Sequence, residues 1–274
     1  MPELPDLVIL ARSMDQALQA RTIAATVVNQ PKSLNLPPEE FTRAVTGRTF
    51  RQVRQRGKWA LADLDRDWMI AFNLGMGGEL RLHGADETPD PRRERVTFRL
   101  DDGRQLWAHF WWFGMVHVVP LSQLEAHPQI GKLGPEPLAD DFTAERLARM
   151  LAGRRGAIKK YLLDQSFVAG IGNVYIQEML WRARLHPLRP ANTLTPADVE
   201  RLYTAMRETL EKGIRWNGGP GEQDVWGNPG RYHEHFFDTF GEGKPCPACG
   251  ATIQAIRVGS TGSLICPQCQ AWPL

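Results

Sequence analysis

The stretch CPACGATIQAIRVGSTGSLICPQC, residues 246–269, holds all four cysteines of the chain, as Cys246-Pro-Ala-Cys249 and Cys266-Pro-Gln-Cys269 separated by 16 residues. A tetrahedral Zn²⁺ takes four thiolates, and each CxxC knuckle folds back tightly enough to offer two sulfurs from one side of the metal. Two knuckles close the site and leave no position for a substrate water, so this spacing points to one structural zinc ion whose binding energy folds a tail too short to build its own core. Two disulfides or four unrelated thiols are the alternatives.

Upstream, AIKKYLLDQSFVAGIGNVYIQEMLWRA (157–183) carries helical periodicity on both sides of Gly170-Ile171-Gly172. It predicts a helix, a glycine turn and a second helix opening at Asn173. Glycine lets another backbone approach closely, and free amides at a helix N-terminus attract phosphate oxygens. Lys159 and Lys160 lie just before the turn. By itself such a segment more often serves packing than nucleic-acid binding, and these lysines narrow the difference. Thr143 is placed to cap a helix to about Leu151. Thr195-Pro196 with Asp198 supplies an N-cap, a first-turn proline and an acidic first turn for a long helix ending near Gly213. Gly218 to Gly230 reads as a glycine-rich connector.

The first 125 residues have a different texture. Leu7, Leu10, Met14 and Leu18 predict an amphipathic helix to about Arg21. Strand-like runs follow at 22–28, 50–55, 59–64, 68–73, 96–100, 105–110 and 113–119, with a short helix at 38–45 and turn signals such as Asp101-Asp102-Gly103. These predict a β-sandwich. The fold class is therefore α+β: an N-terminal sandwich with a leading helix (1–125), a linker (126–142), a helical domain (143–235) and a zinc-ribbon hairpin tail (236–274).

Composition sets outer bounds. With 274 residues and 42 % hydrophobic content the chain can build ordinary cores, and its net charge of +2 does not announce a polyanion partner. Basic clusters do occur locally: Arg51, Arg54, Arg56 and Lys58, then Arg92, Arg93 and Arg95, then Arg154, Arg155, Lys159 and Lys160. Any one of them is also explained as a solvated face. No apolar run reaches the roughly 18 to 20 residues that span a bilayer, and the N-terminus lacks a signal-peptide pattern, so no membrane partner is expected. A cytoplasmic setting keeps thiols reduced for zinc.

Taken together, these motifs resemble the formamidopyrimidine-DNA glycosylase and endonuclease VIII family over essentially the full length. The matching segments are Met1-Pro2-Glu3-Leu4-Pro5, Arg56-Gly57-Lys58, Leu74-Gly75-Met76, Leu133-Gly134-Pro135-Glu136-Pro137-Leu138, the helix-two-turns-helix ending Gly170-Ile171-Gly172-Asn173-Val174-Tyr175, and the cysteine finger. The Leu4-Pro5 pair leans toward the formamidopyrimidine branch. The resemblance implies a monomeric, bacterial-type, nucleoid-associated base-excision repair enzyme acting on double-stranded DNA that contains a damaged base or an abasic site. It would be both a DNA glycosylase and an abasic-site lyase.

On that resemblance the catalytic residues are Pro2, Glu3 and Lys58. After removal of Met1, Pro2 presents a secondary amine that attacks C1′. A terminal amine has a reference pKa of about 7.7 to 8.0, so part of it is nucleophilic at cellular pH. Glu3 is implied to protonate the ring oxygen, which calls for a pKa raised toward neutrality by burial. Lys58 is implied to hold a phosphate near the lesion. Lys159, Gly172 and Asn173 are implied phosphate contacts that position without reading sequence. Met76 and Phe113 are implied wedges that fill the gap left by the extruded base.

Two departures stand against this pattern. Better-known members read Asp-Pro-Arg-Arg-Phe-Gly before the wedge phenylalanine, and the second arginine recognises the base opposite the lesion. Here the segment is Ala108-His109-Phe110-Trp111-Trp112-Phe113-Gly114, with Trp112 in that place. An indole keeps stacking but loses the bidentate fork that selects cytosine. The tryptophans are alternatively sandwich filling. In the finger, the position five residues before Cys266 is Thr261, where the family has a phosphate-clamping arginine. Threonine offers one neutral hydrogen bond in place of charge-assisted ones, so weaker phosphate grip is expected, with Arg257 as a candidate substitute. A non-catalytic binder of damaged or distorted DNA is the alternative function, and a general zinc-ribbon docking protein a third.

Overall fold

The computed structural model describes residues 1–232 and 241–272. The expected 235/236 boundary lies outside the described residues. The chain divides into two compact units, Met1–Lys132 with Asn217–Gly230, and Leu133–Trp216 with Arg231–Leu274.

The first unit opens with helix α1 (Leu4–Leu18), with Glu3 at the N-cap and Pro5 in the first turn. Its buried stripe includes Leu7, Leu10, Met14 and Leu18, at the three- and four-residue spacing of a helix with one face on a core. The helix stops short of Arg21 because Ala20 takes a positive φ of 62° and gives its N–H to the Phe50 carbonyl, which turns the chain toward the sheets.

Eight strands follow: β1 (Ile23–Val28), β2 (Phe50–Arg56), β3 (Trp59–Leu64), β4 (Trp68–Asn73), β5 (Glu79–His83), β6 (Glu94–Leu100), β7 (Gln105–His109) and β8 (Met115–Pro120), with helix α2 (Pro38–Val45) after β1. They form two four-stranded antiparallel sheets, ordered β1-β6-β7-β5 and β2-β3-β4-β8. Residues from both sheets, α1 and α2 share one apolar core, in which the Phe98 ring meets those of Phe41 and Phe72. The last strand starts at Met115 and not at Phe113, because Phe113 sits at φ 60° and breaks the extended run. Strand β5 was not expected: five residues behind Gly77-Gly78 give a period-2 pattern too short to stand out.

The hairpin between β2 and β3 positions one candidate residue. Arg56 pairs with Trp59, leaving Gly57-Lys58 as a two-residue turn, and Gly57 supplies a positive φ of 55°, the conformation such turns demand. Lys58 is thereby held at the tip.

Residues 217–230 are built into this unit and are more than a connector. Val225 is fully buried in the sandwich core, its N–H donates to Ser13 Oγ at 3.1 Å, and the Gly219 N–H donates to Asp6 Oδ1 at 2.7 Å.

The second unit contains α3 (Ala144–Leu151), α4 (Ile158–Leu163), α5 (Tyr175–Arg182), α6 (Pro196–Arg215) and a hairpin of β9 (Gln254–Val258) and β10 (Thr261–Ile265). Thr143 caps α3 through its hydroxyl, and Thr195 with Asp198 forms a capping box on α6, as such residues do at helix starts. Helix α5 begins at Tyr175, two residues after Asn173. Within this unit α5 packs on α4, α6 and β10. Among the described residues no helix is long and apolar enough to cross a membrane.

Candidate functional site

The first turn of α1 concentrates charge in little space. Glu3 is 2 % exposed and Asp6 is buried beside it. The two form a reciprocal capping box: the Glu3 side chain accepts from the Asp6 backbone, and Asp6 Oδ2 accepts the Glu3 N–H at 2.7 Å. Met1, Pro2 and Asp6 line a cavity of about 130 Å³, together with Leu74, Gly78 and Glu222. Burial lowers the Lys58 ammonium from its ordinary value, opposed by the nearby Glu3 and Asp6 carboxylates, so the hairpin tip and the N-terminal turn share one electrostatic environment. Lys58 is further located by its carbonyl, which accepts from Asn73 Nδ2 at 3.1 Å.

Sequence reasoning missed Glu222. Its Oε1 lies 3.7 Å from the Met1 amine, and burial, with Asp6 and Glu3 adding to it, raises its carboxyl to about 7. Nothing in the glycine-rich stretch around it marks it out. The stretch holds two carboxylates among its glycines, Glu222 and Asp224, and only its packing onto α1 distinguishes Glu222.

A second constellation in the same unit is apolar and turned to solvent. Met76, Trp111, Trp112 and Phe113 are 48, 52, 64 and 76 % exposed. Met76 and Trp112 pair through an isolated bridge in which the Met76 N–H donates to the Trp112 carbonyl at 3.0 Å. Gly75 makes this approach possible: a Cβ there would lie 2.1 Å from the Trp112 oxygen. Trp112 and its neighbour are thus surface residues and not sandwich filling. A contiguous exposed aromatic patch in a protein otherwise well packed marks an interaction surface.

The candidate residues of the second unit fall into two groups. At the glycine turn, Gln165 bridges the strand of loop by accepting the Gly170 N–H at 2.9 Å and donating to the Ile171 carbonyl at 2.8 Å. Gly172 is buried, and its carbonyl accepts from the Ile176 N–H at 3.3 Å. Asn173 Oδ1 is buried without a hydrogen-bond partner. Lys159 behaves differently from a surface phosphate contact. It is fully buried, and Nζ donates to the Gly262 carbonyl at 2.7 Å and to Ser263 Oγ at 2.6 Å.

The four cysteine sulfurs lie within 4.8 Å of one another. Cys249 and Cys266 sulfurs are 3.4 Å apart, Cys249 and Cys269 3.5 Å, and Cys246 and Cys269 3.9 Å. Disulfides need about 2.05 Å, whereas four ligands at about 2.3 Å from one zinc stand about 3.8 Å apart. The donor set and its geometry fit one structural zinc ion held by Cys246, Cys249, Cys266 and Cys269. Trp181 Nε1 donates to Cys246 Sγ at 3.4 Å, a partner outside the ligand shell of the kind that orients metal ligands. On the hairpin, the Thr261 hydroxyl donates inward to the Val258 carbonyl at 3.1 Å, and Arg257 is exposed with Nε 3.4 Å from the Gly259 carbonyl.

Comparison with known proteins accounts for this combination. Residues 1–110 match the formamidopyrimidine-DNA glycosylase N-terminal domain, 133–223 the formamidopyrimidine-DNA glycosylase H2TH domain, and 243–271 a zinc finger found in FPG and IleRS. The chain is 40 % identical over 274 residues to the formamidopyrimidine-DNA glycosylase of Chloroflexus aurantiacus, covering 98 % of both, and 40 % identical to that of a Roseiflexus species over 98 % of this chain and 100 % of the relative. Among solved structures, Lactococcus lactis Fpg in complex with abasic-site DNA superposes with a TM-score of 0.91 at 29 % identity, over 98 % of this chain and 100 % of that one. With sandwich, helix-two-turns-helix and four-cysteine finger all matched along its length, the chain belongs to the formamidopyrimidine-DNA glycosylase family.

Proposed function

We propose that the protein is a base-excision repair DNA glycosylase with abasic-site lyase activity, in which the Pro2 nitrogen, freed by removal of Met1, is the nucleophile. The observation that carries this reading is the joint lining of one cavity by Pro2 and Asp6, next to a buried Glu3 whose charge reaches Lys58. The Pro2 lone pair forms a bond to C1′ as the bond from C1′ to the base breaks and the base leaves with the electron pair. The amine then loses its single proton while Glu3 protonates the ring oxygen, and ring opening gives a cationic iminium. That cation is an electron sink, so the neighbouring C2′ proton becomes acidic and the 3′ phosphate departs by β-elimination, followed by the 5′ phosphate by δ-elimination.

Base extrusion needs something to fill the stack. The exposed patch of Met76, Trp112 and Phe113 supplies apolar and aromatic surface for that purpose. Trp112 offers a stacking face and one donor, so the opposite base is held by stacking and discrimination for cytosine is lost. Gly172 and Asn173 serve the phosphate backbone, and the zinc hairpin supplies Arg257, the Thr261 hydroxyl being bonded within the hairpin. The N-terminal sandwich does the chemistry while the helical region and finger grip DNA. A cytoplasmic, nucleoid-associated setting brings the enzyme to its substrate and keeps the zinc thiols reduced.

Borohydride trapping tests this directly. The protein with Met1 removed is expected to form a covalent adduct with abasic duplex DNA, mapped by mass spectrometry to Pro2, and an uncleavable N-terminal extension is expected to abolish it. An adduct on another residue overturns the nucleophile assignment. Tight binding to every lesion in a panel with no nicking of any would make the protein a binder of damaged DNA.

A further inference from the structure

Three carboxylates, Glu3, Asp6 and Glu222, act on one another beside the amino-terminal cavity, whose lining also includes Glu79. Asp6 accepts the Glu3 N–H with one oxygen and the Gly219 N–H with the other, each at 2.7 Å, and Glu3 caps the same helix. Glu222 is the third. Its backbone carbonyl is tied to the Gly230 N–H at 2.8 Å, and the flanking anchors at Gly219 and Val225 hold its loop on α1. Its side chain faces the Met1 amine at 3.7 Å across the cavity that Pro2 also lines.

We propose that Glu222 orients the amine of Pro2 in this cavity and accepts its proton, a role that rests on Pro2 being the nucleophile. The step moves one proton from the Pro2 ammonium to the Glu222 carboxylate. The nitrogen is left with a free lone pair, the carboxyl becomes neutral, and no other bond changes.

The surroundings suit this exchange. Burial, reinforced by Asp6, brings the Glu222 carboxyl to about 7, with the amino terminus opposing and Glu3 assisting the rise. A carboxyl raised that far is a stronger base than an ordinary carboxylate, and its place beside the amino terminus lets it take a proton near neutrality. The charged groups facing Glu222 are Glu3 and Asp6 from α1 and the amine itself. Glu79 lines the same cavity, and Arg81, which bonds Gln223, lies on the same strand. Lys58 acts through Glu3 and Asp6.

The test is single-turnover borohydride trapping on abasic duplex DNA, from about pH 5.5 to about pH 9, using full-length protein whose Met1 removal is verified by mass spectrometry. The wild-type rate is expected to climb around neutrality to a plateau. Glu222→Gln keeps the shape and a hydrogen-bond acceptor but cannot take a proton. It is expected to be at least about tenfold slower below about pH 8 and to converge with wild type near pH 9, where solvent deprotonates the amine. Glu222→Asp is expected to recover part of the loss. A Glu222→Gln profile that superposes on wild type, or a reduction equal at every pH, overturns the proposal, the latter assigning the residue a structural role alone. Wild-type protein that traps nothing at any pH overturns the Pro2 reading, and this proposal with it.

Discussion

Lys159 donates to the Ser263 hydroxyl at 2.6 Å and to the Gly262 carbonyl at 2.7 Å, so the first helix of the glycine-turn motif holds the zinc hairpin in place. Its ammonium is occupied inside the protein. Lys159→Met preserves much of the volume but strands a buried hydroxyl and a carbonyl, at a cost of about 1 to 3 kcal/mol. The expected result is a lower melting temperature and faster zinc loss to a chelator. Unchanged melting and zinc release would show that the hairpin does not depend on this strut.

The same lysine gives a signed pH effect. Burial lowers it to about 8, against about 10.4 in an unfolded chain. Between those values the unfolded state binds more protons, so the lysine's contribution to stability increases as pH rises. Below pH 8 both states are protonated and the burial penalty is fully present. Denaturant melts of wild type and Lys159→Met should therefore diverge in favour of wild type from about pH 8 to about pH 10. A constant difference across that window counts against a depressed lysine.

Asp6 couples two groups whose protonation should bracket activity. Its charge raises the Glu222 carboxyl and supports the Lys58 ammonium against burial. Asp6→Asn removes that charge, which favours ionised Glu222 and disfavours protonated Lys58, so both values fall. The rise of the pH–rate profile for trapping, and the fall beyond its plateau where Lys58 loses its proton, should both shift toward acid. Limbs that move in opposite directions, or a shift of the alkaline limb alone, would mean that Asp6 does not face both groups.

How much of this was legible beforehand differs by kind of residue. The helices at 4–18, 38–45, 144–151 and 196–215 and the hairpin carrying Lys58 follow from caps, periodicity and a glycine with positive φ, all of them local signals. The cysteine site was legible because metal geometry constrains spacing. Glu222 was not, because a carboxylate becomes a proton acceptor only when a segment more than 200 residues away folds against it, as Gly219 and Asp6 show. The internal partners of Lys159 were hidden for the same reason: its acceptors lie 103 and 104 residues downstream, beyond any local pattern. Whether the tryptophans fill the sandwich was open in the sequence, and their exposure speaks against it.

Phe113 combines 76 % exposure with a φ of 60°. A non-glycine residue held there costs about 1 to 2 kcal/mol, and an exposed phenyl ring recovers little of it by packing. Phe113→Gly should therefore leave the free protein equally stable or up to about 1 kcal/mol more stable. Binding to duplexes with an abasic site should weaken by about 1 to 3 kcal/mol, since a stacking surface is lost. Trp112→Ala should weaken binding similarly, and Trp112→Arg should create a preference for cytosine opposite the lesion. A Phe113→Gly protein that is less stable yet binds normally would make the ring a structural element.

The fingertip poses a question of charge count. The Thr261 hydroxyl is turned inward to the Val258 carbonyl, so it brings no donor to a phosphate, while Arg257 is exposed across the same hairpin, paired with Gly262. Each phosphate neutralised contributes about −0.9 to the slope of log K against log salt on duplex DNA. Thr261→Arg costs one neutral hydrogen bond but adds a guanidinium at the tip, and should steepen the slope by about one unit while tightening binding at low salt. Arg257→Ala should flatten it by about one unit if Arg257 reaches the backbone from its own strand. Titration of a fluorescent abasic duplex over a salt series measures both. Steepening in the first variant with no flattening in the second would mean that the tip is placed for a phosphate contact that neither residue makes. No change in either would mean that the hairpin, though zinc-stapled and held by Lys159, does not grip the strand.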